Sequence, residues 1–358
     1  MKKNILCLFI VLAISISCIA CENCLEIEKK IGQMILVGFE GDSVGSEGYQ
    51  KVYSDLKSGN VGGVIFFEKN IKDKKTLSQM TSQIAELKNK PLISIDQEGG
   101  FVQRLNEKNG SKKYPSAYKL ALGNTKDAYN TYNAMSKELK EMHFNYNFGP
   151  CMDLLVNPDS IITKKERGYS SDVKTVVEFA KTFIDAHYKN GIITSLKHFP
   201  GHGSPKGDTH LGFVDASKTW NENELMPYVS LMNSNPLQTV MISHIFIDRL
   251  DSEKPAVLSA PVITGLLREK MGYNGVVITD DLDMGAIKNN YSLEEIVVGS
   301  INAGADILLF SNFKSEDADP ELVKKIHKIV LRAVSDKRIP RSKIDESYRR
   351  IQELKTQL

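Results

Sequence analysis

Gly275-Val-Val-Ile-Thr-Asp280 is the stretch on which the fold turns. Val276 to Thr279 are four β-forming residues in a row, with no charged position left to face water. Such a run suits a strand covered on both faces, as in a parallel sheet. Seven other apolar runs repeat it, at 34–39, 61–67, 91–96, 144–153, 191–199, 239–246 and 305–310. Between them lie stretches with helical spacing. Residues 75–89 place Leu77, Met80, Ile84 and Leu87 on one face, and 173–190 do the same with Val176, Val177, Phe179, Ala180 and Phe183. Residues 261–271 and 293–303 behave likewise. Eight strands alternating with helices predict an α/β fold, a (β/α)8 TIM-type barrel. An open doubly wound sheet is the alternative, but no Gly-x-Gly-x-x-Gly follows the first strand. The tail, 320–358, carries two helical patterns and is expected to pack on the barrel wall.

Composition sets the outer bounds. The chain has 358 residues, 41% hydrophobic and 25% charged, which excludes collagen-like, low-complexity and multispan membrane chains. Net charge is 46 − 44 = +2, and no Lys/Arg cluster is interleaved with aromatics, so a nucleic-acid partner is not expected. Residues 1–20 have the pattern of a secretory signal peptide: Lys2 and Lys3, then an apolar run from Ile5 to Ile16 that is short for a membrane span. A retained N-terminal anchor is the alternative. Cys21 follows Cys18-Ile19-Ala20, which resembles a bacterial lipoprotein processing site, and Cys18 is a second candidate for lipidation. The expectation is an exported, monomeric protein of the cell envelope or extracellular space, with one catalytic domain over 25–358. Cys24 and Cys151 would remain far apart, so no disulfide framework is indicated.

In a barrel, reactive groups gather at the C-terminal strand ends. The third run ends in Asp96-Gln-Glu-Gly-Gly100, with Arg104 beyond it. The fifth ends in Lys197-His-Phe-Pro-Gly-His-Gly203, followed by Asp208-Thr-His210. The sixth ends in Ser243-His244 and the seventh in Asp280-Asp281. His198 and His202 share the spacing of helical zinc ligands, but Pro200 and Gly201 between them oppose a helix. A metal held by His198, His202, Asp208 and His210 is the lesser alternative. A carboxylate such as Asp280, on a rigid strand end, can attack an anomeric carbon and form a glycosyl ester. A His oriented by an Asp, as in Asp208-x-His210, makes a proton carrier for the same reaction. A loop-turn cap is the plainer role for Asp208.

These motifs, in this order, resemble family 3 glycoside hydrolases, in particular the bacterial β-N-acetylglucosaminidase branch. The likeness spans roughly Ile27 to Leu354. It is carried by Asp96-Gln-Glu-Gly-Gly-Phe-Val-Gln-Arg104, Arg167-Gly-Tyr-Ser-Ser-Asp172, Lys197–Gly203, Asp208-Thr-His210 and Ile278-Thr-Asp-Asp-Leu-Asp-Met284. The resemblance implies a barrel, a carbohydrate substrate, and neither metal nor organic cofactor. It implies Asp280 as nucleophile, His210 as general acid/base and Asp208 as its partner. Asp96, Arg104, Arg167, Lys197 and His198 fall at sugar-binding positions, and their charged groups can fix several hydroxyls at once.

The implied reaction is retaining, exo-acting removal of terminal β-linked N-acetylglucosamine, from peptidoglycan fragments or other glycans. Phosphorolysis, another sugar preference, or a non-catalytic glycan-binding lipoprotein are the rival readings. The chain departs from the family pattern at Phe148-Gly-Pro-Cys-Met-Asp-Leu154, at 161–166 and at Arg167-Gly-Tyr169, which bears on the leaving-group side. Trp220 could serve as a sugar platform, but Asn221-Glu222 after it marks a helix start and favours packing.

Overall fold

The computed structural model describes residues 25–312 and 318–358; the signal-peptide and lipidation expectations fall on 1–24, outside the described residues. Eight parallel strands form one sheet: β1 (Ile35–Val37), β2 (Gly63–Phe66), β3 (Leu92–Ile95), β4 (Tyr146–Asn147), β5 (Ile193–Phe199), β6 (Gln238–Ile242), β7 (Val276–Thr279) and β8 (Leu308–Phe310). They pair in the order β8-β1-β2-β3-β4-β5-β6-β7. Between β7 and β8 the contact narrows to a parallel bridge, Ile278 with Ile307, helped by the Thr279 amide donating to the Ile307 carbonyl at 3.0 Å. The sheet is therefore a nearly closed barrel, and each sequence run contains its strand except the sixth, whose strand starts at Gln238, one residue before the run.

The fourth run, 144–153, is the one where regular pairing is much shorter than expected. Regular pairing stops before Gly149-Pro150, where proline has no amide hydrogen to donate, although the Gly149 and Pro150 carbonyls still accept the Ser195 and Lys197 amides at 2.8 and 3.2 Å. The chain then rejoins β5 through a single bridge, Cys151 with Lys197. That irregularity leaves Asp153 free of the ladder and buried beneath β5.

Helices cover the barrel where the spacing placed them. Lys74–Ala85 starts at Asp73, whose carboxylate accepts from the Thr76 amide at 2.7 Å, and it buries Leu77, Met80 and Ile84. Leu87 lies past its end. Val173–Lys189 is capped by Asp172 and buries Val176, Phe179, Ala180 and Phe183. Each of these side chains larger than alanine contributes ~1.5–3 kcal/mol when withdrawn from water. Pro261–Lys270 winds as a π-helix rather than an α-helix. None of the helices among the described residues is long and apolar enough to cross a membrane.

The tail packs as expected. Leu322–Ser335 buries Ile326, Val330 and Ala333, and Arg341–Thr356 buries Ile344, Ile351 and Leu354. The last helix also reaches the barrel floor, at the N-terminal strand ends. There Lys355 Nζ donates to Gln33 Oε1 at 2.8 Å and to the Gly62 carbonyl at 3.1 Å. The first helix, 25–33, joins it through Lys30 and Asp345 at 2.8 Å.

Candidate active site

At the opposite end, where the strands finish, lies a cavity of about 450 Å³. It is lined by Asp96, Arg104, Arg167, Lys197, His198, His210 and Asp280; of the predicted site residues only Asp208 stands behind the wall.

Its floor is a buried ion network. Lys197 Nζ lies 2.9 Å from Asp96 and 2.6 Å from Glu98. Arg167 grips Glu98 with Nε at 3.0 Å and Nη2 at 2.8 Å, a two-pronged pairing that fixes the plane of the guanidinium. Arg104 completes the set, 3.4 Å from Asp96. Burial would push the Glu98 carboxyl up, but Arg167 and Lys197 overcome it and hold it at about 2. Asp96 is likewise held low, by Lys197 and then Arg104, against its burial. Two carboxylates face three cations, so the network keeps spare N–H donors for oxygens of a guest. Glu98 was not singled out from the sequence, although it sits two residues after Asp96. Its partner Arg167 is 69 positions away, and nothing local marks the pairing.

His198 is held from below by Asp153. Its Nδ1 lies 2.6 Å from Asp153 Oδ2, and Asp153 Oδ1 accepts the amides of His198 and His202 at 3.2 and 2.8 Å. Arg167 Nη2 approaches His198 Nε2 at 3.3 Å. A carboxylate on one ring nitrogen and a donor on the other assign the proton to Nδ1. Asp153, a second residue the sequence left without a role, is held far below the usual carboxylate range; burial opposes this and the His198 ring outweighs it.

The four-residue metal alternative does not assemble. Among the described residues the ligand-type atoms that converge are those of Cys151, Asp153 and His198, within 4.8 Å. They are hydrogen-bonded to one another, Cys151 Sγ donating to Asp153 Oδ2 at 3.3 Å. Burial, and next the Asp153 charge, push the Cys151 thiol up. His202 is buried, and burial lowers it to about 4. Trp220 packs, as expected, in a small core with Val214, Ala216, Ile245 and Ile247, and its Nε1 donates to the Pro200 carbonyl at 3.0 Å.

Asp280 ends β7 at the cavity wall. Its amide donates to the Ile242 carbonyl at 2.9 Å, and its Oδ1 accepts the Asp281 amide at 2.8 Å. Burial would raise its carboxyl; His198, His244 and His210 together lower it, so it is ionised at neutral pH. His210 enters from the loop after β5. Its Nδ1 and its amide both meet Asp208 Oδ1, at 2.8 and 3.0 Å, which leaves Nε2 for a guest. The loop is docked on the segment following Asp280, where the Ala286 amide donates to the Thr209 carbonyl at 3.1 Å. Asp281, also at the cavity, accepts the Ser311 amide at 2.8 Å and so ties the ends of β7 and β8. Its carboxyl is raised to about 7 by burial and then by Asp283.

An ionised carboxylate and an Asp-oriented imidazole opening on one polar hollow at a barrel mouth define a site for acid-assisted displacement. The chain belongs to glycosyl hydrolase family 3: the model of that family's N-terminal domain matches residues 26–354. A beta-hexosaminidase of Tolumonas auensis is 35% identical over 266 residues, which cover 72% of this chain and 77% of that protein. Beta-hexosaminidase A of Pseudoalteromonas piscicida is 30% identical over 325 residues, 84% of this chain but 54% of that protein. A family 3 β-N-acetylglucosaminidase structure from Paenibacillus superposes with a TM-score of 0.83 at 30% identity, covering 92% of this chain and 62% of that one.

Proposed function

We propose that this chain is a retaining, exo-acting β-N-acetylglucosaminidase. The observation that carries the reading is the joint placement of Asp280 and His210 on one cavity, with Asp208 bonded to His210 from behind the wall. Asp280 attacks the anomeric carbon while His210, oriented by Asp208, protonates the leaving oxygen. The glycosyl–Asp280 ester then forms, and His210 takes a proton from the water that opens it. Lys197, Arg104, Arg167, Asp96 and His198 hold the terminal sugar through its hydroxyls. The sugar preference rests on the beta-hexosaminidase names of the relatives, whose lengths this chain spans only in part. Peptidoglycan fragments or other glycans ending in N-acetylglucosamine suit an exported, lipid-attached enzyme acting as a monomer.

The test is turnover of aryl β-glycosides. Asp280→Ala should reduce cleavage of the aryl β-N-acetylglucosaminide at least ~10⁴-fold, with an unchanged unfolding midpoint. Activity near that of the parent enzyme would remove Asp280 from its role. The same panel, with other sugars and with phosphate added, separates hydrolysis of N-acetylglucosaminides from the rival specificities.

A further inference from the structure

A thiol, a carboxylate and an imidazole meet behind the floor of the cavity. The ligand-type atoms of Cys151, Asp153 and His198 lie within 4.8 Å of one another, and all three residues are buried. Protons join them. His198 Nδ1 is 2.6 Å from Asp153 Oδ2, and Cys151 Sγ donates to the same oxygen at 3.3 Å. The main chain keeps the three together without those protons. Cys151 pairs with Lys197, next to His198, in a parallel bridge, and Asp153 Oδ1 accepts the His198 and His202 amides.

A tetrahedral zinc ion takes sulfur, imidazole nitrogen and carboxylate oxygen at about 2.0–2.3 Å, which sets ligand atoms ~3–4 Å apart. The Cys151–Asp153 pair already has that spacing, and the His198–Asp153 pair needs to open by roughly 0.5–1 Å. Thiolate and carboxylate together balance a divalent charge, as a buried ion requires. The sulfur makes the set soft, so it favours Zn²⁺ or Cd²⁺ over Mg²⁺ or Ca²⁺.

We propose that Cys151, Asp153 and His198 form an inhibitory site for a thiophilic divalent cation, with water as fourth ligand. Burial and the Asp153 charge hold the thiol proton on in the absence of a cation, and the cation's own charge displaces it to solvent. The His198 proton moves from Nδ1, which now binds the metal, to Nε2. Arg167 Nη2 already faces Nε2 at 3.3 Å, so two donors oppose each other and the ring and guanidinium must part. Arg167 also grips Glu98, so the floor loosens with it. His198 is the member of the three that lines the cavity, and a sugar bound there closes the way in. Sugar and metal therefore compete. That effect on activity rests on the glycosidase reading; the metal site itself does not.

The full chain, stripped by a chelator, is titrated with Cd²⁺ and Zn²⁺. The ultraviolet cadmium–thiolate band of the parent should exceed that of Cys151→Ser and Cys151→Val by one thiolate, since the cysteines at 7, 18, 21 and 24 are common to all three. Zn²⁺ should raise KM of the parent at least ~10-fold, reversibly by chelator, and both variants should need ~100-fold more Zn²⁺ for the same effect. Serine keeps a donor for Asp153 and valine keeps apolar bulk, so either variant serves if the other does not fold. No excess band in the parent overturns the site. Equal inhibition of parent and variants puts the metal on the cavity carboxylates instead and overturns the inhibitory role, as does an excess band with undiminished activity. An inactive parent overturns the glycosidase reading and the inhibitory role with it, and the band still decides the metal site.

Discussion

Removing the negative charge of Glu98 while keeping its shape, by Glu98→Gln, tests the floor of the site. Glu98 is 4% exposed and carries both Arg167 and Lys197. Its carboxyl falls from an ordinary 4.5 to about 2. At about 1.4 kcal/mol per pH unit, that difference is worth ~3 kcal/mol of folding stability at neutral pH. The direct cost of leaving two buried cations short of a partner is of the same size, ~3–5 kcal/mol. The sign in pH follows from a depressed carboxylate. Its contribution is complete above 4.5, and it is lost as pH falls through about 2. At pH 3.5 ~2 kcal/mol of the gap between parent and variant should remain. Urea unfolding at pH 7 and pH 3.5 measures both values. With Arg167 and Lys197 released, kcat/KM should fall ~10–100-fold. A stability gap under ~1 kcal/mol at pH 7, or one equal at the two pH values, would refute the network as the floor's main support.

Other outcomes follow from the same geometry. His210→Ala should lose ~10²–10⁴-fold on glycosides with poor leaving groups and much less on the 2,4-dinitrophenyl glycoside, which needs no proton; equal losses would remove His210 as the acid. Asp153→Asn withdraws the acceptor from His198 Nδ1, and should cost ~3 kcal/mol in urea unfolding along with a rise in KM, because the ring that Arg167 contacts is no longer held. Lys355 is lowered to about 7 by burial, with only neutral acceptors around it. Because the unfolded chain keeps that proton up to about 10.5, the parent should gain ~1 kcal/mol per pH unit over Lys355→Gln between pH 7 and 9, read from parallel unfolding curves.

The barrel was legible in the sequence because parallel strands buried on both faces must be apolar throughout, and because 75–89 and 173–190 keep strict helical spacing. The fourth strand was overestimated at 144–153, since hydropathy does not register the missing amide of Pro150. Asp96, Arg104, Lys197, His198, His210 and Asp280 were legible as polar groups at or just beyond strand ends, Arg167 only through the family resemblance, and all seven share one cavity. Glu98 and Asp153 were not. Each acts on partners many positions away, Arg167 and His198, and a carboxylate's neighbours across a barrel leave no local pattern. Phe101 was hidden for the opposite reason: as one apolar letter in a motif it looks like core, yet it stands 64% exposed at the cavity, just after Gly99 and Gly100, which both take positive φ.

The meeting of the first and last helices under the barrel gives the molecule a handle. Lys30 with Asp345, and Lys355 with Gln33, bind the first and last described helices to the side opposite the mouth. A tether at residue 25 would therefore present the sugar-accepting opening away from the surface that carries it, facing whatever strands of polymer pass by. Immobilised through that end, the protein should keep its access to long glycans, whereas coupling through Lys165, which lines the cavity, would block the entrance.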